Sequence, residues 1–192
     1  MEALKMAMRQ MINVSDAELT DFLGMCFMKT FRRKEVLSHP QARPNEVFFI
    51  VSGLIRVCVL DKEGTEHTLH FALENQFICD YSAFMRKDVS LYTLEALEAT
   101  EVVVLPRTAI EWGYQHLQEG DKMGRLIAEF YFIYQDNRNM NQYTRTPKER
   151  YDTITDVFPN IHHRVPQHMI ASYLGITPIH LSRLKKQDYR KA

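Results

Sequence analysis

Residues 167–186 read QHMIASYLGITPIHLSRLKK, and the stretch has the anatomy of two helices joined by a tight turn. Ala171 is small at the point where a second helix must come close, and Gly175 stands at the turn, where a positive backbone angle is easiest for glycine. Ile170, Leu174, Ile176, Leu181 and Leu184 take the positions that pack one helix on the other. Thr177 reads as the N-cap of the second helix and Pro178 as its first residue, where a missing N–H costs nothing. All these choices agree on one register, that of a helix-turn-helix. A plain helical hairpin with a basic end would not require that agreement.

With Leu181 and Leu184 turned inward, the opposite face carries Ile179, His180, Arg183 and Lys186. An α-helix fits the major groove of duplex DNA, and its N-terminal turns reach base edges. Arg183 can give two hydrogen bonds to a guanine, His180 can donate or accept, and Ile179 can touch a thymine methyl. Lys185, Lys186, Arg190 and Lys191 suit phosphates, as do the hydroxyls of Thr177 and Ser182. The candidate DNA-binding set is therefore Gln167, Thr177, Pro178, Ile179, His180, Ser182, Arg183, Lys185 and Lys186. The chain is neutral overall, but unevenly so. From Arg145 onward there are nine Lys/Arg against four Asp/Glu, a net of +5, while the first 144 residues hold fifteen against twenty, a net of −5. A basic tail behind an acidic front suits a protein whose tail alone meets phosphate.

Upstream, Thr146-Pro147-Lys148-Glu149 combines an N-cap, a proline at the first helical position and a capping-box glutamate. The spacing predicts a helix from there to about Phe158-Pro159-Asn160. It places a domain junction near Thr144–Thr146, giving units 1–145 and 146–192. From Gly120 to Tyr143 nothing breaks a helix. Met123, Ile127, Phe130 and Tyr134 step by four, three and four, Asn137 and Asn141 continue the seam, and Leu126, Ile133 and Met140 form an adjacent row. Such a helix is roughly 35 Å long. Its apolar width exceeds what one contact needs, so a second copy of the chain is the expected partner.

Between about Val36 and Leu105 the pattern turns to short β-rich runs: EVFFIVS (46–52), LIRVCVL (54–60), EHTLHFAL (66–73), SLYTLEAL (90–97) and EVVVLP (101–106). Gly53 and the Asp61–Gly64 segment mark tight turns, and LIRVCVL alternates, with Arg56 and Cys58 opposite Ile55, Val57 and Val59. Many short strands with close turns mean an antiparallel sandwich or barrel. In front of them Ser15 and Glu18 form a capping box before Leu19, Phe22 and Leu23. Hydrophobic residues at 45% and charged residues at 25% describe an ordinary globular composition. There is no apolar run long enough for a membrane span, and MEALKMAMRQM lacks a signal-peptide core. Cys26, Cys58 and Cys79 are odd in number and far apart, which points to a reducing cytoplasm.

In this order of elements the chain resembles the Crp/Fnr family over nearly its whole length. VFFIVSGLIRVCVLDKEGTEHTLHFA resembles the family's opening strands, with Gly53 and Gly64 at its turn glycines, and YLGITPIHLSRLKK resembles its recognition unit. The resemblance implies an α+β fold: an antiparallel, jelly-roll-like β-roll sensor of the cyclic-nucleotide-binding type, a dimerisation helix at about 120–143, and a C-terminal helix-turn-helix domain. It further implies a homodimer that reads a two-fold symmetric site on double-stranded DNA, with RNA polymerase as a further candidate partner.

Three departures qualify it. Cyclic-AMP-binding members open their phosphate cassette with Gly-Glu and close it with Arg-Ser or Arg-Ala. The aligned opening here is Cys79-Asp80, and the arginine position is Leu91. Burying a cyclic phosphate without a cation is costly, so cyclic AMP is disfavoured and the effector is left unnamed. Candidate pocket walls are Cys79, Asp80, Tyr81, Ser82, Ser90, Leu91, Tyr92 and Tyr134, with Phe130 and Tyr131 facing them. Of the three reading positions Arg-Glu-Arg only the last has a match, Arg183, since Pro178 and Ile179 hold the others. The chain ends at Ala192, so a full wing after the recognition helix is not expected, and the basic tail would take its phosphate contacts.

Other chemistry reads weakly. Gly64, His67, His70 and Glu74 faintly resemble a cupin metal motif, but two histidines three apart on a strand point to opposite faces. Cys26 alone does not make an iron–sulfur site, and Cys79 reads as a small hydrophobe rather than a redox thiol. His162-His163 reads as a solvated loop. No metal or cofactor is expected, nor is an enzyme, since no nucleophile–base pair or phosphate loop stands out. The second reading is a degenerate β-roll that dimerises or docks a protein without sensing anything.

Overall fold

The structure is a computed structural model that describes residues 1–189, with side chains through Lys186. Arg190 and Lys191, expected at phosphates, lie outside the described residues. Two helices open the chain, α1 (Glu2–Met11) and α2 (Asp16–Gly24). Ser15 caps α2: its hydroxyl accepts from the Glu18 N–H, and the Glu18 carboxylate accepts from the Ser15 N–H. Eight strands follow: β1 (Phe27–Phe31), β2 (Val36–Ser38), β3 (Glu46–Ser52), β4 (Ile55–Leu60), β5 (Glu66–Ala72), β6 (Phe77–Ile78), β7 (Thr93–Ala96) and β8 (Thr100–Pro106). A short helix, α3 (Tyr81–Arg86), separates β6 from β7. After β8 come α4 (Arg107–His116) and the long α5 (Gly120–Thr144). The C-terminal helices are α6 (Pro147–Asp152), α7 (Ile154–Val157), α8 (Ile161–Arg164), α9 (Gln167–Tyr173) and α10 (Pro178–Tyr189).

The strands form two antiparallel four-stranded sheets, ordered β1-β8-β3-β6 and β2-β7-β4-β5. This is the α+β arrangement expected, with an antiparallel roll, a long helix and a helical C-terminal region. The sheets enclose one core between them, including Phe48, Ile50, Ile55, Val57, Leu94 and Val104. The outer face of the first sheet is covered as well: Val47, Phe49, Val103 and Leu105 pack on Leu4, Met8, Phe22 and Met123 of the helices. The outer face of the second sheet is covered by the C-terminal helices, where Leu54, Phe71, Leu73 and Leu97 meet Ile154, Phe158, Ile161, Ile170 and Leu181.

This double coverage explains where the strand pattern misleads. The alternation in LIRVCVL predicts one buried and one open face, yet Ile55, Arg56, Val57 and Cys58 are all buried. Arg56 is 2% exposed and is held by the Thr68 hydroxyl and by Glu66 at 2.7 Å. A strand with both faces covered no longer alternates. The short β1, β2 and β6 and the helix α3 are not evident in the β-rich runs, because two- to six-residue elements carry too little periodicity.

The helix begun by Thr146 also ends sooner than predicted. Its capping box is present, but α6 stops at Asp152 and the chain continues as the separate short turns α7 and α8. His162 and His163 lie in α8 rather than in a loop, and His162 is half-buried against the Tyr151 ring. Gly53 shows why a turn here needs glycine. Its φ is +100°, and a Cβ there would sit 2.4 Å from the Thr100 hydroxyl.

Candidate functional site

A cavity of about 600 Å³ opens where the roll, α3 and α4 meet α5. That volume lies in the range of small-molecule sites. Its walls are largely apolar, with Val57, Leu69, Phe77, Ile110, Met123 and Ile127 among them. Of the residues expected to line a pocket, Cys79, Asp80, Tyr81, Ser82, Tyr92 and Tyr131 do so. Ser90, Leu91, Tyr134 and Phe130 are not in the walls. Ser90 is fully buried behind them, Leu91 is 62% exposed, and Phe130 is exposed on the far side of α5. The Tyr134 hydroxyl turns instead to Nδ1 of His70.

Asp80 is committed to structure. Its carboxylate caps α3 by accepting from the Ala83 N–H at 3.1 Å, and it accepts from the Ser90 hydroxyl at 2.8 Å. A helix N-terminus that usually welcomes an anion is thus already occupied by one. No lysine or arginine lines the cavity among the described residues. Arg107 stacks over the Phe84 ring and donates to the carbonyls of Pro44 and Phe84 and to Asn45 Oδ1. These walls do not fit a cyclic phosphate. Burial pushes the Cys79 thiol up to about 12, with Asp80 adding to the effect. Tyr131 donates to the Phe77 carbonyl, and burial raises its hydroxyl too.

His70 is a wall residue that the sequence reading weighed only as half of a metal pair and set aside. It stands in β5, pairs with Val57, and is 6% exposed. A register shift between Val57 and Cys58 separates its environment from that of His67. His67 is solvent-facing and bound to Asp61 at 2.6 Å, whereas His70 lies among the rings of Tyr131, Tyr134 and Phe158. Burial, joined by the field of Arg138, lowers the His70 imidazole to about 3. The ring is therefore neutral at ordinary pH. Beyond that faint pattern, its sequence signal was a histidine inside an apolar run, LHFAL.

At the other end of the chain the helix-turn-helix register is realised. Gly175 has φ +68°, the Thr177 hydroxyl accepts from the His180 N–H, and Leu181 and Leu184 are buried. Thr177, Pro178, Ile179, His180, Ser182, Arg183 and Lys186 are all exposed, Ile179 at 68%. Lys185 is half-buried and donates to Gln167 Oε1, so these two expected contacts are tied to each other. α9 does not stand free. The Ser172 hydroxyl accepts from the Thr68 N–H of β5, and in α8 Arg164 bridges Glu74 at 2.7 Å and Glu98 at 2.5 Å. Burial pulls Glu74 upward, but hydrogen bonds from Arg164 and from the Gly53 N–H outweigh it, so its carboxyl titrates below the ordinary range.

The seam on α5 is shifted from its predicted phase. Met123 and Ile127 pack on the roll, and Tyr134 belongs to the core under the C-terminal helices. The row left open is Phe130, Ile133 and Met140, with half-buried Leu126 at its start and exposed Phe132 and Tyr143 beside it. Both rows are apolar, so periodicity alone could not say which one the roll would cover. No helix among the described residues is long and apolar enough to cross a membrane.

The chain thus builds a two-sheet roll closed by a long helix, with an apolar cavity beneath it and a helix-turn-helix behind it. Residues 28–116 match the family model described as cyclic nucleotide-binding domain. The fold is shared with FixK2 from Bradyrhizobium japonicum (16% identity, 86% of this chain and 85% of that one, TM-score 0.73). It is shared too with the c-di-GMP-responsive global regulator CLP from Xanthomonas campestris (13%, 92% and 93%, 0.70). A transcriptional regulator of the Crp/Fnr family from Eubacterium rectale is similar in the same way (14%, 93% and 85%, 0.73). No curated protein matches the sequence. Residues 28–116 are thus similar to a cyclic nucleotide-binding domain, and the chain shares the fold of Crp/Fnr regulators.

Proposed function

We propose that this chain is a DNA-binding transcription regulator, not an enzyme. It acts as a homodimer on a two-fold symmetric operator and is modulated by an effector in the roll cavity other than cyclic AMP. The observation that carries the reading is the exposed face of α10, with Ile179, His180, Ser182, Arg183 and Lys186 open while Leu181 and Leu184 anchor the helix. Such a face presents base-reading and phosphate-binding groups together. The open apolar row of α5 supports self-association, since a face with Phe130, Ile133 and Met140 in solvent gains by pairing. Among the described residues no lysine or arginine lines the cavity, which supports an effector that is not a cyclic phosphate.

Selection of bound duplexes from a random pool, at two salt concentrations, tests this with wild type and Arg183→Ala. An inverted repeat with half-sites about one helical turn apart is expected. The Arg183→Ala protein is expected to lose or relax one base position, at about 1–3 kcal/mol. Enrichment of no sequence, with binding that fades at modest salt, would leave only nonspecific affinity and overturn the reading.

A further inference from the structure

The end of α5 is built against the turn of the helix-turn-helix. Tyr134, Arg138 and Gln142 stand four residues apart on α5 and so share one face. The Tyr134 hydroxyl lies 2.9 Å from that of Tyr173, the last residue of α9. The Arg138 guanidinium lies 5.0 Å from the centre of the Tyr173 ring. Gln142 closes on the turn itself, since a Cβ at Gly175 would sit 3.1 Å from its Oε1.

Arg150 of α6 completes the contact. Its Nη1 donates to the Arg145 carbonyl at 2.7 Å and to the Gln142 carbonyl at 3.4 Å, and its Nη2 donates to the Leu174 carbonyl at 3.0 Å. Gln142 lies in the last turn of α5, Arg145 is the C-cap of that helix, and Leu174 is the C-cap of α9. Carbonyls at a helix C-terminus lack a partner within the helix and form the negative end of its dipole. One guanidinium thus ties the C-terminal ends of two helices together. Its planar fork of donors can serve both at once, whereas a lysine ammonium on a flexible stem would not hold both. The capping box of Thr146 and Glu149 sets the start of α6 and thereby the place of Arg150. The body of α9 rests on β5 through Ser172 and Thr68, but the turn beyond it, from which α10 starts, is held by Gln142 and Arg150.

We propose that Arg150 is a positioning residue: by clamping the turn at Leu174 to the end of α5, it fixes the aim of α10 relative to the dimer axis and so sets the half-site spacing that the dimer reads. The assignment rests on the regulator reading above and adds what decides its operator geometry. The open row Phe130, Ile133 and Met140, where a second copy would pair, lies on a different face of α5 from the one that holds α9. One helix then carries the partner on one face and the recognition unit on another. A loose joint at Thr146 would let the two recognition helices read several spacings, and a clamped one presents them at a single spacing.

The experiment varies the spacer between two inverted copies of the half-site that wild type selects, one base pair at a time across a helical turn. Wild type is expected to prefer one spacer by about tenfold over those two base pairs longer or shorter. Arg150→Met should keep its affinity for an isolated half-site within about twofold, yet flatten the spacer preference to about threefold or less. Arg150→Lys keeps the charge but not the fork, and should behave as Arg150→Met does. A residue that only stabilised the fold would change affinity for every spacer alike. Discrimination retained in both variants, full restoration by lysine, a loss at the isolated half-site equal to that at the best spacer, or a wild type indifferent to the spacer would each overturn the assignment. Amide hydrogen exchange tests the clamp without DNA. In both variants exchange at Gly175 and Ile176 should quicken about tenfold while β8 is unchanged, and an unaltered turn would overturn the clamp. Should Arg150→Met not fold, Arg150→Lys carries both readouts. If exchange quickens but wild type selects no duplex, the clamp stands, and the regulator reading fails together with the spacing role. If a duplex is selected and both variants keep the wild-type spacer preference, only the role of Arg150 fails.

Discussion

The two sides of α5 end in opposite kinds of contact. Toward its N-terminal half the roll and helix enclose a cavity, whereas toward its C-terminal half Tyr134 joins a filled core made by the second sheet and α7–α10. In that core Phe158 is fully buried and packs edge-on or tilted against Phe71, Tyr173 and His70. Across the junction of the filled side Ser172 pairs with Thr68 and Arg164 with Glu74 and Glu98, while Arg138 Nε, Arg150 Nε and His162 Nδ1 are buried there without a partner. Nε2 of His70, a residue of the cavity wall, is buried and unpaired as well. A tightly packed junction can hold the C-terminal helices against the roll while the neighbouring void stays open to be filled by something else. His70 stands at the border of the two and touches both.

The contrast breaks most visibly at Phe158. Phe158→Ala should cost about 3–5 kcal/mol of unfolding free energy, since it opens a hole in a filled core. Ile127→Ala, beside an existing void, should cost only about 1 kcal/mol. Urea denaturation of both variants checks this, and equal costs would mean that the two sides are packed alike.

The next effect is on pH. The folded imidazole of His70 sits at about 3, below its ordinary 6.5, so the unfolded chain binds the proton first as pH falls. Its contribution to stability is complete above pH 6.5 and is lost progressively toward pH 3. Glu74, held low by Arg164, adds a loss of the same sign that begins only in the carboxylate range. Between pH 7 and 5 wild type should therefore lose more stability than His70→Phe, as read from melting curves, and parallel curves would place the titration elsewhere.

A smaller change is expected from Arg164→Met. Both carboxylates it bridges are partly exposed, so the loss should be about 1 kcal/mol and should shrink with added salt. Proteolysis of the linker near Thr146 should quicken with it if the ion pairs hold α8 down. The smallest is chemical: Cys79, with its thiol at about 12, should react with an alkylating reagent at pH 7.5 far more slowly than a free thiol.

The helix-turn-helix was legible because its determinants are local. Gly175 needs its positive φ whatever packs on it, and Thr177 caps its own helix through His180. The capping boxes at Ser15 and Thr146 and the turn at Gly53 were legible for the same reason. The cavity walls were legible only in part. Cys79 to Ser82 were found by position along the chain, but Ser90 and Leu91 lie outside the walls because the segment before β7 turns one residue inward and the next outward. His70 was set aside as half of a failed metal pair, since nothing local shows that one histidine of the strand faces solvent and the other a void.

By itself the sequence determined the element types, the caps, the turns and the register of α9 and α10, since these follow from backbone preferences and hydrogen bonds a few residues apart. Tertiary structure alone decided which apolar row of α5 meets the roll, that both faces of β4 are covered, and that Nε2 of His70 is left without a partner. Each of those depends on groups brought together from distant parts of the chain. The spacing of apolar residues records that a face will be buried, not what will bury it.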